Sequence, residues 1–142
     1  MRIDIPWRTR KVIAQLIDPD HADEETLSAA TRNAAEAGLD LFLAGGSLTG
    51  VPVEGVIRRL KQLSAIPVVL FPGNLTQLTA GADALFLLSL ISGRNPELLI
   101  GNHVIAAPFL KDIRDRVIPV GYMLISCGGG TSVEYMSQTS PI

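Results

Sequence analysis

Five short apolar runs recur along this chain, and the segments between them have either helical periodicity or turn composition. Residues 11–17 (KVIAQLI), 39–44 (LDLFLA), 67–71 (PVVLF), 84–90 (ALFLLSL) and 117–126 (VIPVGYMLIS) read as strands. The fourth is apolar everywhere except Ser89, as expected of a strand covered on both faces. Residues 23–37 read as a helix with Leu27, Ala30, Ala34 and Ala37 on one narrow stripe. Asp23, Glu24 and Glu25 suit the positive end of its dipole, and Gly38 is the expected C-cap. A second helix starts near Pro52 and turns Val53, Val56, Ile57, Leu60 and Leu63 inward. A third opens with Asn95 as N-cap and Pro96 as first residue. It runs toward Lys111, and Pro108 is expected to kink or end it. The order β-α-β-α-β-x-β-α-β argues for a parallel sheet with right-handed crossovers. The irregular connection, residues 72–83, begins Pro-Gly-Asn and has room for about two helical turns, too few for a full covering helix.

Composition narrows the class. The chain has 142 residues, 47% hydrophobic and 18% charged, which excludes most disordered states and fits one domain. A net charge of −2 leaves no electrostatic footprint for nucleic acid. No apolar run reaches the ~20 residues of a membrane span. The N-terminus, with Arg2, Asp4, Arg8 and Arg10, has no apolar core of a signal peptide. The single cysteine, Cys127, favours a reducing, cytoplasmic setting. Two architectures fit this pattern. A doubly wound five-stranded sheet is complete at this length, whereas an eight-stranded barrel needs ~250 residues.

In both, chemistry gathers at the C-terminal ends of the strands. There the chain places Asp18-Pro19-Asp20, Gly45-Gly46-Ser47, Phe71-Pro72-Gly73-Asn74, the stretch from Ser89 to Arg94, and the stretch from Ser126 to Ser132. Asp18 and Ser47 offer a carboxylate and a hydroxyl that suit Mg²⁺, an ion content with one or two protein oxygens plus waters and phosphates. Equally, Asp18 suits a cap and Ser47 a turn. Gly45 and Gly46 would let backbone N–H groups approach an anion, or simply turn the chain. Tyr122 fits a pocket wall or a core, and Arg94 fits a phosphate contact or a solvated loop. His103 reads as structural. There is no G-x-G-x-x-G, Walker or G-x-S-x-G pattern, and no zinc spacing.

These rims carry a resemblance. Leu16-Ile17-Asp18-Pro19-Asp20, Ala44-Gly45-Gly46-Ser47, Ile91-Ser92-Gly93-Arg94-Asn95-Pro96, Ile100-Gly101-Asn102-His103 and Gly121-Tyr122-Met123-Leu124-Ile125, in this order, resemble the geranylgeranylglyceryl phosphate synthase family. The stretch Gly129-Gly130-Thr131-Ser132-Val133-Glu134-Tyr135-Met136 looks like its second group, related to bacterial heptaprenylglyceryl phosphate synthase. The resemblance implies a TIM (β/α)₈-type barrel modified at the third helix. Residues 1–142 would then be a single incomplete barrel domain of about five βα units, the N-terminal portion of a longer chain.

It also implies a Mg²⁺-dependent prenyltransferase of ether-lipid (phospholipid) biosynthesis. The reaction moves a geranylgeranyl or similar polyprenyl group from its diphosphate to the sn-3 hydroxyl of sn-glycerol 1-phosphate. By this analogy Asp18 and Ser47 hold the metal, and Gly45, Gly46, Arg94 and Tyr122 contact substrates. The general base and the glycerol-phosphate pocket would lie beyond Ile142, so the isolated chain is expected to be inactive. The full-length form would be a cytoplasmic homo-oligomer with peripheral lipid contact. Leu16 stands where some relatives have a lysine, so that phosphate contact is missing. The competing readings are a non-catalytic ligand-binding or assembly module and another phosphate-binding barrel enzyme.

Overall fold

The computed structural model describes residues 3, 5–7, 9–125 and 128–139. The strands are β1 (Ala14–Ile17), β2 (Leu41–Ala44), β3 (Val68–Leu70), β4 (Ala84–Leu90) and β5 (Val117–Tyr122). The helices are α1 (Glu24–Ala37), α2 (Val53–Leu63), α3 (Asn102–Asp112) and the short α4 (Ser132–Ser137). All neighbouring strands pair in parallel, and their order in the sheet is their order in the chain.

That order decides between the two architectures. A doubly wound sheet reverses its strand order and carries helices on both faces. Here alternate strand residues part cleanly. Ile17, Phe42, Ala44, Val68, Leu70 and Leu85 pack with Leu27, Val56, Leu60, Ala106 and Leu110, which come from α1, α2 and α3. The intervening residues Leu41, Val69 and Ala84 pack instead with Ile5, Leu43, Phe86 and Ile118. All three helices therefore cover one face, and the other face closes on the strands themselves and the N-terminal segment. This is the wall of a (β/α)₈-type barrel, not a doubly wound sheet. Both faces are apolar because both are covered, which is why β4 shows no polar alternation.

Local signals account for most boundaries. Asp23 caps α1 by accepting from the Thr26 N–H at 2.7 Å, and Gly38 ends it in the left-handed region at φ 67°. The buried stripe of α1 is Leu27, Ala30, Thr31 and Ala34, while Ala37 is exposed. Thr31 enters the core because its hydroxyl donates back to Leu27 O at 3.0 Å. The 72–83 connection holds only a 3₁₀ turn, Leu75–Gln77, so no helix covers the sheet between β3 and β4.

Two expectations change. The helix does not end at Pro108. It begins with a π-helical turn, Glu97–Gly101, and α3 continues to Asp112, with Ala106 and Leu110 buried on either side of the proline. β5 stops at Tyr122 rather than 126, and Ser126 and Cys127 lie outside the described residues. After the glycines the chain turns helical again. Thr131 and Glu134 form a reciprocal capping box that starts α4. That Thr-Ser-Val-Glu signal was present in the sequence. Arg2, Asp4, Arg8 and the terminal Ser140-Pro141-Ile142 are also outside the described residues.

Opposite the strand tips, Asp40 ties the entry to β1. It accepts from the Arg10 guanidinium and from the Ile13 N–H at 2.9 Å. These contacts hold its carboxyl at about 2, below its ordinary 3.8. A depressed carboxyl stabilises the fold above its unfolded pKa and loses that contribution as pH falls through its folded value. Asp40→Asn should therefore flatten the loss of thermal stability between about pH 4 and pH 2. Melting curves of both proteins across that range would test it, and parallel curves would contradict it.

Candidate functional site

The site is built where the strands end. Ile17 pairs with Ala44, so the first residues past β1 and β2 emerge side by side. Asp18 caps the 3₁₀ turn Pro19–His21 through Oδ1, which accepts from the Asp20 N–H at 3.0 Å. Its other oxygen turns toward the β2 rim, where a Cβ on Gly46 would lie 3.2 Å from Oδ2. His21 Nδ1 is 3.9 Å from the same oxygen. The capping role and a ligand role thus use different oxygens of one carboxylate.

The neighbouring Asp20 holds the loop that carries Ser47. Its carboxylate accepts from the Gly50 N–H, at 2.9 and 3.0 Å to the two oxygens, and from the Val51 N–H at 2.9 Å. Those backbone N–H groups, Gly50 first, lower its pKa from the usual carboxylate value.

The rims of β2 and β3 touch through bare backbone. A Cβ at Gly45 would lie 2.0 Å from Phe71 O, and one at Gly73 would lie 2.2 Å from Gly46 O. Gly45 also has φ 147°, so a side chain there is excluded twice. The glycines therefore do more than turn the chain. They let two strand ends approach until backbone meets backbone.

From Gly46 and Ser47 an apolar groove of about 800 Å³, its open mouth included, runs between the strand ends and the surrounding helices. Leu75 and Leu78 line it from the short β3–β4 connection, Leu98 and Ala106 from the segment leading through α3, and Val133 and Met136 from α4. Phe71, Phe86 and Tyr122 form an aromatic wall. Phe71 meets Phe86 edge-on at 6.3 Å and Tyr122 edge-on at 5.8 Å. Tyr122 is thus both pocket wall and packing partner. His103 also lines the groove, and its Nε2 lies 2.7 Å from Leu88 O, which fastens α3 to β4.

Arg94 stands apart from the groove lining. Its side chain is exposed and donates to Gly93 O at 3.3 Å. Its backbone has the more definite task. The N–H groups of Arg94 and Asn95 donate to Ser137 O, and Asn95 Nδ2 donates to Met136 O at 2.8 Å. A Cβ at Gly93 would lie 2.7 Å from Ser137 O. Ser92 Oγ accepts from the Leu124 N–H at 3.0 Å. The Gly93-Arg94-Asn95 stretch therefore bolts α4 down, placing Met136 and Val133 over the groove, while Ser92 holds the segment after β5. Reading Asn95 only as a cap missed this, because its partners lie about forty residues away. The cap is also present, since Asn95 Oδ1 accepts from the Glu97 N–H at 3.1 Å.

Among the described residues no three His, Cys, Asp or Glu side chains converge on one point. An ion here would be held by Asp18 and the Ser47 hydroxyl, with waters and phosphate oxygens completing its shell. Mg²⁺ accepts that sparse donor set.

The family model of the PcrB family matches residues 5–140. The chain belongs to the PcrB family. The geranylgeranylglyceryl phosphate synthase of Spirosoma linguale is 46% identical over 134 residues, 94% of this chain and 54% of the relative. The synthase of Chitinophaga pinensis is 45% identical and that of Methanothermobacter thermautotrophicus 33%, covering 99% and 95% of this chain. Among solved structures, the wild-type enzyme of Thermoplasma volcanium superposes with a TM-score of 0.82 at 28% identity, over 93% of this chain and 53% of that one. The (S)-3-O-geranylgeranylglyceryl phosphate synthase of Thermoplasma acidophilum, in complex with sn-glycerol-1-phosphate, gives 0.85 at 28%, over 96% and 56%. This PcrB-family chain spans about half the length of the curated relatives it matches.

The rim contacts yield a direct test. Gly45→Ala forces a Cβ into Phe71 O at a backbone angle hostile to side chains. It should destabilise the chain by about 3 kcal/mol or more, read from denaturant midpoints. A midpoint equal to wild type would show that the rims are free to part.

Proposed function

We propose that this chain carries the prenyl-donor half of a geranylgeranylglyceryl phosphate synthase, with the diphosphate at the β1–β2 rim and the polyprenyl tail in the apolar groove. The observation that carries this reading is the continuity of the two. A polar rim with a carboxylate, a hydroxyl and close-set glycines adjoins a groove walled by leucines, methionine and aromatic rings. A prenyl diphosphate has that polarity, a strongly charged head on an apolar chain. The names of the relatives support the same donor and acceptor classes for the whole enzyme.

In the reaction, the sn-3 hydroxyl oxygen of sn-glycerol 1-phosphate forms a bond to the allylic carbon. The bond from that carbon to the diphosphate oxygen breaks, diphosphate leaves with the electron pair, and the hydroxyl proton passes to a base. Bound Mg²⁺ would neutralise the departing diphosphate as a Lewis acid. The residues of this chain bind and orient. Asp18 and Ser47 would hold the ion, while Gly45 and Gly46, whose N–H groups are engaged by Ile17 O and Gln77 Oε1, would shape the rim beneath the diphosphate. The groove walls keep the tail fixed and the allylic carbon dry. Tyr122, beside Phe71 in the groove wall, would contact the donor. Leu16, half exposed in β1, supplies no charge to the head group.

The acceptor pocket implied by the family resemblance belongs to later loops, so these 142 residues alone should yield little ether product. We place the reaction in the cytoplasm. No helix among the described residues is long and apolar enough to cross a membrane. Exposed Ile100, Val104 and Ile105 on and beside α3 offer an apolar strip for self-assembly of the full-length form.

Calorimetric titration with geranylgeranyl diphosphate in the presence of Mg²⁺ checks the donor assignment. Asp18→Ala and Ser47→Ala should each weaken binding about tenfold or more, a loss of ~1.4 kcal/mol. Chelating the metal should weaken wild type by a similar factor. Unchanged affinity in Asp18→Ala would refute the metal role.

A further inference from the structure

The connection between β3 and β4 lacks a covering helix, yet it delivers one side chain deep into the rim. Gln77 is 3% exposed. Its Nε2 donates to Gly46 O at 2.7 Å and to Thr49 Oγ1 at 3.2 Å. Its Oε1 accepts from the Gly46 N–H at 3.4 Å and the Gly73 N–H at 3.2 Å. One carboxamide therefore engages both backbone groups of the residue before Ser47, and joins them to the β3 rim. The amide orientation follows from the network, since a flipped group would set N–H against N–H and oxygen against oxygen. The 3₁₀ turn that presents it is itself fastened, with Asn74 Oδ1 accepting from the Thr76 N–H at 2.9 Å.

We propose that Gln77 is a positioning residue that fixes the Gly46–Ser47 peptide for diphosphate binding, and that the abbreviated β3–β4 segment serves to deliver it. This rests on the reading of the β1–β2 rim as the diphosphate site. Gln77 does not itself touch the anion. It acts by denying the Ser47 loop other conformations. Asp20 grips the far end of the same loop at Gly50 and Val51, so the segment between is held at both ends. A buried amide with all its donors and acceptors engaged is a point where partial satisfaction is costly, so substitution should be felt at the loop first. Shape alone does not suffice. Glu is the same size, but when ionised it would set a charged oxygen against Gly46 O.

Amide hydrogen exchange of the 142-residue chain decides the matter, with Mg²⁺ and inorganic pyrophosphate as the ligand probe. Gln77→Met should lower protection across residues 46–51 about tenfold while β1 and β2 keep theirs. It should also weaken Mg²⁺–pyrophosphate binding at least fivefold. Ile57→Val, a core change on the helix-covered face, should leave both within twofold. Gln77→Glu should regain protection at 46–51 as pH falls and its acid becomes a donor, a dependence that space-filling alone would not produce. Wild-type protection at 46–51 in Gln77→Met would overturn the proposal, as would pH-independent protection in Gln77→Glu. If Gln77→Met loosens the loop but wild type binds no pyrophosphate, the positioning role stands and the diphosphate reading of the rim falls.

Discussion

Between the β2 and β3 rims, backbone packs against backbone with no room for a single Cβ. Gly45 lies under Phe71 O and Gly73 over Gly46 O. The parallel register of Ala44 with Leu70 brings these ends level, and the glycines let them close. The rest of the site hangs on this contact. It sets the height of Ser47 relative to Asp18, aims Phe71 at Tyr122 and Phe86, and leaves the cradle that the Gln77 carboxamide fills. Had these rims been spaced by side chains, the groove would begin farther from the polar edge and the two would not form one continuous surface.

The structure separates the duties of the two rim aspartates. Asp20 spends its carboxylate on backbone N–H groups of the next loop, and Asp18 spends one oxygen on a cap and keeps the other toward Gly46. A similar division runs through the fourth rim. There Ser92 holds the segment after β5, and Gly93, Arg94 and Asn95 seat α4, which then roofs the groove with Met136. Polar residues at these rims are thus mostly construction.

Features encoded locally were legible in the sequence. Asp23 and Gly38 mark both ends of α1, β4 declares itself by seven nearly unbroken apolar residues, and the short 72–83 connection announces the absent helix. What escaped was encoded by contacts distant along the chain. Gln77 looks like any loop glutamine until β2 and β3 converge, because its partners lie up to 31 residues away. Pro108 does not end the helix because α3 is also pinned by Ala106, Leu110 and the His103–Leu88 bond, which rules for isolated helices leave out. The choice of barrel over doubly wound sheet needed the strand order, which periodicity does not contain. α4 was legible in principle through its Thr131–Glu134 box, a signal four residues long.

If rim and groove together bind an amphiphilic donor, as proposed, head and tail lie along them at once. The most direct measurement is a crystal structure of the chain with geranylgeranyl diphosphate and Mg²⁺. The diphosphate is expected beside Asp18 and Ser47, with the tail lying along Leu75, Leu98 and Met136. A diphosphate bound away from that rim, or a tail lying outside the groove, would contradict it.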